Sequence, residues 1–353
     1  MAVDNYSGSN EVERNLLVVD WKMSTPAEIE GLLNKVNMQG QHWDYFNCSA
    51  KTFVKNGTVN RYVSYAVAVL YILRHKKKYN NIIIWQQMIG FMLCLLPRFS
   101  STPKIIITTL LYSPGRVKPG SFRLFLLKQA LKRADALLYF SEDMANDVKS
   151  CYPMHADKIF STYLPITNNI DKAAAGISTT ENKKDNSVFS GGLSDRDFDS
   201  VIRAFTGTTT PVSIICTNGQ SFKNPELLTP NFTVKRNVSE MEYHKSVLSA
   251  AFVVIALKYE HSSCGQLLFT FCMKNSIPII ASSCYGTRDY IINNDNGILV
   301  PINDDRAILS AYNKLVTDTI FRERLVQQSK EMSSKMTFDN YLNKINSIIE
   351  KIN

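Results

Sequence analysis

The sequence predicts an α/β protein made of two doubly wound halves, each a parallel sheet covered by helices. Three observations lead there. Short apolar runs alternate with helical patterns twice along 353 residues, a length that accommodates two ordinary domains. Between the two series lies Ile166 to Asn186, ITNNIDKAAAGISTTENKKDN, which is polar, small and nearly free of bulky apolar groups, as linkers are. Finally, Val253 to Val300 reads as strand, loop, helix, strand, with apolar runs at Val253 to Leu257 and Ile277 to Ala281 around a helix opened by Gly265 and Gln266. Such crossovers are right-handed, and ligands in open α/β sheets bind at the carboxyl ends of the strands. Those ends are Lys258 to Gln266 and Ser282 to Asp289.

In the first half, strands are expected at Leu16 to Asp20, Asn81 to Trp85, Lys104 to Thr108 and Ala136 to Phe140. Helices are expected at Pro26 to Val36, Ala66 to Lys77 and Arg123 to Ala134, with another from Glu142 that Ser141 would N-cap. After the linker, strands fall at Ser187 to Ser190, Pro211 to Cys216 and Phe232 to Lys235, and helices at Ser200 to Phe205 and Met241 to Ala251. A last helical region, Asp304 to Ile352, has few breakers and is long enough to reach back over the first domain. The division is thus 1–165, a linker over 166–186, 187–330, and a closing helix over 331–353. Two such halves leave a cleft between them, a common place for a ligand.

Composition is that of a soluble globular chain, 45% hydrophobic and 20% charged, with a formal charge of +9. That excess suits a polyanionic or anionic-surface partner. No helix-turn-helix or RNA-recognition signature accompanies it, so nucleic acid is not expected. The seven cysteines are scattered without a C-x-x-C pair, which reads as reduced thiols in a cytoplasmic protein and disfavours structural zinc. The N-terminus is polar and acidic, unlike a secretory signal. The most apolar stretch, Ile82 to Leu96, is about fifteen residues and holds Gln86 and Gln87, too short and polar to span a bilayer.

Several residues bear on chemistry. Ser190-Gly191-Gly192-Leu193-Ser194-Asp195-Arg196-Asp197 follows the first strand of the second half. Its glycines permit close backbone approach to a ligand, and Arg196 offers a planar cationic fork for phosphate oxygens. The competing reading is a tight turn with a solvated arginine. Asp195, Asp197 and Asp199 invite a metal, but Asp197 and Asp199 suit the first turn of a helix equally well, so no metal is expected. Gly265 and Gln266 open a helix whose amides would face an anion, with Ser262 and Ser263 before it as anion ligands or as a plain N-cap. His261 is placed to hydrogen-bond a hydroxyl or simply to be solvated, and Glu260 is the carboxylate of that wall. In the first half, Arg74 to Lys78 and the helix bearing Arg123, Lys128, Lys132 and Arg133 concentrate positive charge. Phe122, Phe125 and Leu126 interleave with the latter as in helices that lie on anionic membranes, or as in any amphipathic helix.

With these residues in place, the second half resembles the donor domain of GT-B glycosyltransferases, above all family 4 and its bacterial enzymes of O-antigen, capsule and exopolysaccharide synthesis. SGGLSDRDFDSVIRAF is similar to that family's Gly-rich loop and helix, SSCGQLLFTFCMKNSIPIIAS to its donor loop, and GTRDYIINNDNGILVPINDD to the segment that closes the domain. The likeness covers roughly residues 187 to 320. In the first half it is looser, in QQMIGFMLCLL and KRADALLYFSEDM. The resemblance implies two Rossmann-like domains facing a cleft, with a C-terminal helix crossing back. It places Arg196 at the diphosphate and implies a donor-binding set of Gly191, Gly192, Arg196, Asn237, His261, Ser262, Ser263, Gly265 and Gln266. Arg196 and Glu260 would serve catalysis, with Asp20, at the end of the first strand, as the base an inverting enzyme needs. Three departures stand out: Gly192 where many members have a further arginine, and Ser263 and Phe271 where the family has paired glutamates, the second of which binds the donor ribose. Asp289 falls where the family often has Glu.

The activity implied is transfer of a sugar from a nucleotide-diphosphate-sugar, a UDP-sugar first, to a hydroxyl of a lipid-linked oligosaccharide in surface polysaccharide or lipopolysaccharide synthesis. It needs no metal or other cofactor, and its expected place is the cytoplasmic face of the membrane, held peripherally on anionic lipid. The alternative is a degenerate, non-catalytic GT-B subunit that binds a partner enzyme or glycan. An epimerase or phosphorylase on the same fold lacks its motif here.

Overall fold

The computed structural model describes residues 13–21, 26–37, 41–50, 54–97, 103–115, 117–166 and 186–353. The expected linker falls almost wholly outside them. The first half runs β1 (Arg14–Val19), α1 (Pro26–Asn37), β2 (His42–Asn47), α2 (Gly57–His75), β3 (Asn81–Ile84), α3 (Gln87–Leu95), β4 (Lys104–Leu110), α4 (Phe122–Arg133), β5 (Ala136–Tyr139), α5 (Glu142–Cys151) and β6 (Ile159–Ser161). The six strands form one parallel sheet in the order β2-β1-β3-β4-β5-β6. Strands β1, β3 and β5 are nearly uniform apolar runs because helices cover both of their faces.

The second half runs β7 (Val188–Gly191), α6 (Phe198–Phe205), β8 (Val212–Cys216), β9 (Phe232–Arg236), α7 (Glu240–Leu248), β10 (Phe252–Ile255), α8 (Gln266–Lys274), β11 (Ile279–Ser282), α9 (Tyr285–Arg288) and β12 (Ile298–Val300). These strands form a second parallel sheet, ordered β12-β11-β10-β7-β8-β9. Sequence periodicity misses β2, β6 and β12. All three lie at sheet edges; β2 (HWDYFN) is half-buried and alternates polar with aromatic residues, while β6 and β12 have three residues each.

The long C-terminal helical region is three helices, α10 (Asp305–Thr317), α11 (Thr319–Ser333) and α12 (Phe338–Ile352). Asp318 and Thr337 break it by accepting hydrogen bonds from Phe321 N–H and Asn340 N–H, N-caps that start new helices. Helix α12 buries Phe338, Tyr341, Leu342, Ile345, Ile348 and Ile349, spaced as one helical stripe, and lays them on the first sheet. Its Tyr341 hydroxyl donates to Thr108 Oγ1 at 3.3 Å, and its ring packs on Trp85. The chain therefore crosses back to the first half.

Because every strand within each sheet is parallel, each sheet gathers its loops along one carboxyl edge. Those two edges meet. Ser141 Oγ donates to Tyr285 O, and Glu142 N–H donates to Asp289 Oδ2 at 2.8 Å. Arg288 Nε reaches Asp143 Oδ2 at 2.9 Å. Tyr290, fully buried, accepts from Leu164 N–H and donates to Phe140 O. No described helix is long and apolar enough to cross a membrane.

Candidate active site

The Gly-rich loop after β7 and the loop after β10 are stitched together through the backbone. Asp197 N–H donates to Ala256 O and Lys258 N–H to Asp195 O, with Arg196 bridged to Leu257 between them. Arg196 is 7% exposed. Its Nε donates to Gly191 O at 2.8 Å and its Nη1 to Ser194 O at 2.9 Å, so the guanidinium folds back over the glycines. Gly192 makes room for it: φ there is +131°, and a Cβ would lie 2.5 Å from Nη2. Burial pulls the pKa of Arg196 down, opposed by Tyr243, Cys264 and Asp195. An arginine stays charged in proteins nonetheless, and a desolvated cation hydrogen-bonded to carbonyls is stabilised further by an incoming anion.

Asp195 takes a left-handed φ of +54° and turns Oδ2 to accept from Ser262 Oγ at 3.1 Å and from Cys264 Sγ. Ser263 Oγ accepts from Gln266 Nε2 at 2.8 Å. Gly265, at φ +101°, is the N-cap of α8 and provides no capping side chain, so the first-turn amides of a nine-residue helix open beside these serines. Ser262, Ser263 and Gln266 are all buried and Arg196 lies one loop away. The structure thus brings together Gly191, Gly192, Arg196, Ser262, Ser263, Gly265 and Gln266.

The other expected residues sit differently. Asn237 is exposed at the end of β9, where its Oδ1 accepts from Asn218 N–H. It reaches the Gly-rich loop only through that neighbouring turn, whose Gln220 donates to Leu193 O. Glu260, with 64% of its side chain exposed, faces Arg288 Nη1 at 3.7 Å and joins the Arg288–Asp143 pair across the seam. His261 packs edge-on against Tyr285 and against Gly115 of the first half, where a Cβ would lie 2.6 Å from its Nδ1. Asp20 lies at the carboxyl end of β1, accepting from Tyr65 Oη at 3.1 Å and Gln86 Nε2 at 3.2 Å. Burial, with Asp20 as the second cause, pushes the neighbouring Cys48 thiol up to about 12.

Asp197 accepts from Ser200 N–H and Oγ as the N-cap of α6, while Asp199 accepts from Lys223 N–H. Both are thus occupied in structural roles. Among the described residues no group of three His, Cys, Asp or Glu is arranged for a metal.

Three participants, Tyr243, Arg288 and Asp143, escape sequence reasoning, and Asp289, singled out there, joins them. Tyr243 of α7 lies over Gly191 and Phe189, close enough to Arg196 to raise its pKa. Arg288, Asp143 and Asp289 join the two edges. Burial pushes the Asp289 carboxyl up to about 6, with Asp143 and Glu142 adding repulsion and bonds from Ser141 and Glu142 N–H opposing it. Tyr243 looks in sequence like any member of an amphipathic helix. Phe271, one of the noted departures, is 2% exposed and stacked on His244 with ring centroids 4.7 Å apart. Burial pulls the His244 pKa down.

The two basic segments of the first half separate. Arg74 to Lys78 precede β3 and lie at the amino edge of the sheet, away from the seam. Helix α4 begins on the seam side, with Phe122 67% and Phe125 45% exposed and their rings stacked. Arg133 at its far end is committed to the carbonyls of Cys94 and Leu96.

Residues 227–332 match the family model described as glycosyl transferases group 1. No curated protein sequence matches the chain. Among solved structures, sucrose-phosphate synthase from Thermosynechococcus elongatus superposes with a TM-score of 0.65 at 14% identity, over 96% of this chain and 99% of that one. HepE from Anabaena, solved in complex with UDP, superposes with a TM-score of 0.63 at 10% identity, over 96% and 99%. TarM superposes with a TM-score of 0.63 at 14% identity over 81% of this chain and 58% of its own. At such identities the likeness establishes the fold.

Proposed function

We propose, from the premise that this chain is a GT-B glycosyltransferase with its group 1 region at residues 227–332, that it moves a sugar from a UDP-sugar to a hydroxyl of a lipid-linked oligosaccharide. One observation carries the donor side. The buried Arg196 guanidinium is held by backbone carbonyls beside the Gly265 opening of α8, so cation and helix amides converge where a diphosphate would lie. In transfer, the acceptor oxygen bonds to the anomeric carbon as the bond to the diphosphate breaks. Arg196 and the amides stabilise the charge on the departing group, and the acceptor hydroxyl gives up its proton, to an oxygen of the departing diphosphate if the reaction retains configuration. No metal or cofactor is required by this reading. Asp20 is the candidate to take the proton if the reaction inverts.

HepE was solved with UDP and with UDP-glucose, which supports a uridine donor as the first to try. The exposed Phe122–Phe125 pair with Arg123 and Lys128 on α4, on the seam side, supports an acceptor delivered from an anionic membrane at the cytoplasmic face. Surface polysaccharide synthesis is the setting that fits such an acceptor.

The test is a thermal-shift screen with UDP, GDP, CMP and their sugars on the wild type and on Arg196→Ala and Gln266→Ala. A ligand that binds only the folded state raises the apparent Tm. A shift with UDP compounds that both substitutions reduce is expected. Variants that shift as much as the wild type would sink the site assignment, and no shift with any nucleotide would favour the non-catalytic subunit.

A further inference from the structure

Helix α2 is apolar on the side that faces away from its sheet as well as on the side that packs against it. Ser64, Tyr65, Ala68, Val69 and Ile72 are its buried residues. At about 3.6 residues per turn, Val59, Tyr62, Val63, Ala66, Leu70 and Leu73 make a second stripe on the opposite side. Val59, Tyr62, Leu70 and Leu73 are exposed, Leu70 by 65%. Between Arg61 and Arg74 the helix carries no Lys, Arg, Asp or Glu. A helix apolar all round is ordinarily covered all round, and the first sheet covers only one side of this one.

Charge narrows the choice of cover. From Tyr45 to Ala134 the chain has fifteen Lys and Arg and not one Asp or Glu. That stretch builds α2, α3 and α4, which form one layer on one face of the first sheet: α2 and α3 share one apolar cluster, and α3 and α4 share the next. Ten of the seventeen exposed large apolar side chains among the described residues fall in the same stretch. Each of these helices connects parallel strands, so all three end at the amino edge of the sheet. There Arg74, Lys76, Lys77 and Lys78 follow the exposed Leu70 and Leu73, and the exposed Leu95 and Leu96 close α3. Arg133, at the end of α4, donates to the carbonyls of Cys94 and Leu96 and ties those two ends together. A helix dipole favours a cation in the last turn, but it does not account for four in five residues.

We propose that the α2–α3–α4 layer lies on a bilayer of anionic phospholipid, with Leu70, Leu73, Leu95 and Leu96 at the boundary of headgroups and acyl chains and with Arg74 and Lys76 to Lys78 on the phosphates. Exposed leucines gain by leaving water, and clustered cations gain from an anionic surface. A nucleic acid would answer the cations but not the leucines. A second copy of this chain would set the cations against their like. Because the three helices run along the strands, the first sheet lies flat over the bilayer and the seam opens along its surface. The proposal rests on the membrane setting of the proposed function, but it uses neither Phe122 nor Phe125.

The experiment is flotation with phosphatidylcholine vesicles, with and without phosphatidylglycerol. It compares the wild type with two variants, Leu70→Ser with Leu73→Ser, and Lys76→Gln with Lys77→Gln and Lys78→Gln. Phe122 and Phe125 stay in place throughout. The wild type should float with the phosphatidylglycerol vesicles and far less with phosphatidylcholine alone. The leucine variant should bind about tenfold more weakly, on the scale of two apolar side chains returned to water. The lysine variant should lose about fivefold per lysine on the anionic vesicles. The apparent Tm and its rise with UDP should hold in both, since these side chains are exposed and lie away from the donor loops. A wild type that does not float, or either variant floating like the wild type, overturns the proposal. A wild type that instead dimerises through Leu70 and Leu73 makes this face a protein contact and overturns it as well. If the wild type floats as expected but shifts with no nucleotide, the membrane face stands and the glycosyltransferase reading is what fails.

Discussion

The Arg196 guanidinium lies against Gly192 so closely that a methyl group at position 192 would fall 2.5 Å from Nη2. Gly192 is therefore the surface on which the arginine rests. Gly192→Ala forces a side chain into φ +131° and displaces the guanidinium. We expect a stability loss of about 1–3 kcal/mol from the backbone alone. UDP affinity should fall at least tenfold on the scale of a lost charge-assisted contact, measured by calorimetry. Unchanged affinity would mean that Arg196 does not face the diphosphate.

Asp289 links protonation to the joining of the two halves. Its carboxyl is raised to about 6, chiefly by burial, while an unfolded aspartate titrates near 3.9. A raised folded pKa means a stabilising contribution that is whole below about pH 4 and lost as pH climbs through about 6. The Asp289 share of stability should thus decline across that window. Asp289→Asn keeps an oxygen to accept from Glu142 N–H and should flatten the decline in apparent Tm. A pH profile identical to wild type would remove Asp289 from this role.

Tyr290 spans two partners from the first half with one hydroxyl, Leu164 N–H at 2.8 Å and Phe140 O at 3.0 Å. Tyr290→Phe leaves both backbone groups buried and unanswered, which costs about 1–3 kcal/mol. Chemical denaturation should show a lower midpoint, with the nucleotide site itself intact.

A carboxylate introduced at 271 should not create a ribose contact. Phe271 is 2% exposed and stacked on His244, whose pKa burial pulls down. Phe271→Glu buries a charge and loses the stack, so we expect destabilisation of at least about 2 kcal/mol and no gain in UDP affinity. Tighter UDP binding by a folded variant would show that the position opens to the nucleotide.

Helix α4 offers a membrane test. Phe122→Ser with Phe125→Ser removes two exposed rings while leaving the buried Leu126, Leu127, Ala130 and Leu131 in place. Flotation with phosphatidylglycerol vesicles should fall several-fold at constant apparent Tm. High salt should weaken wild-type binding as well. Equal flotation of variant and wild type would leave α4 without a membrane role.

Much of the fold was legible because α/β architecture writes itself locally. Buried central strands such as β3 and β10 must be continuous apolar runs, and Ser141 announces α5 by its capping chemistry. Edge strands face solvent on one side, so β2 lacks such a run. The break at Asp318 is likewise invisible, since a capping aspartate looks like any polar residue on a helix face until the chain is seen to turn.

For the site, the sequence by itself determined the loops: the glycines after β7, the Gly265 opening of α8, and Arg196 among them. These are local matters, since a left-handed φ or an uncapped helix start depends on residues within a turn of one another. Only the tertiary structure decided what each side chain meets. It folded Arg196 back onto Gly191 and Ser194, turned Glu260 to Arg288, sent Arg74 to Lys78 to the far edge, and set His261 against Gly115. The last of these joins elements more than a hundred residues apart in the chain, as does the bond of Glu142 with Asp289, and no short-range pattern carries such contacts.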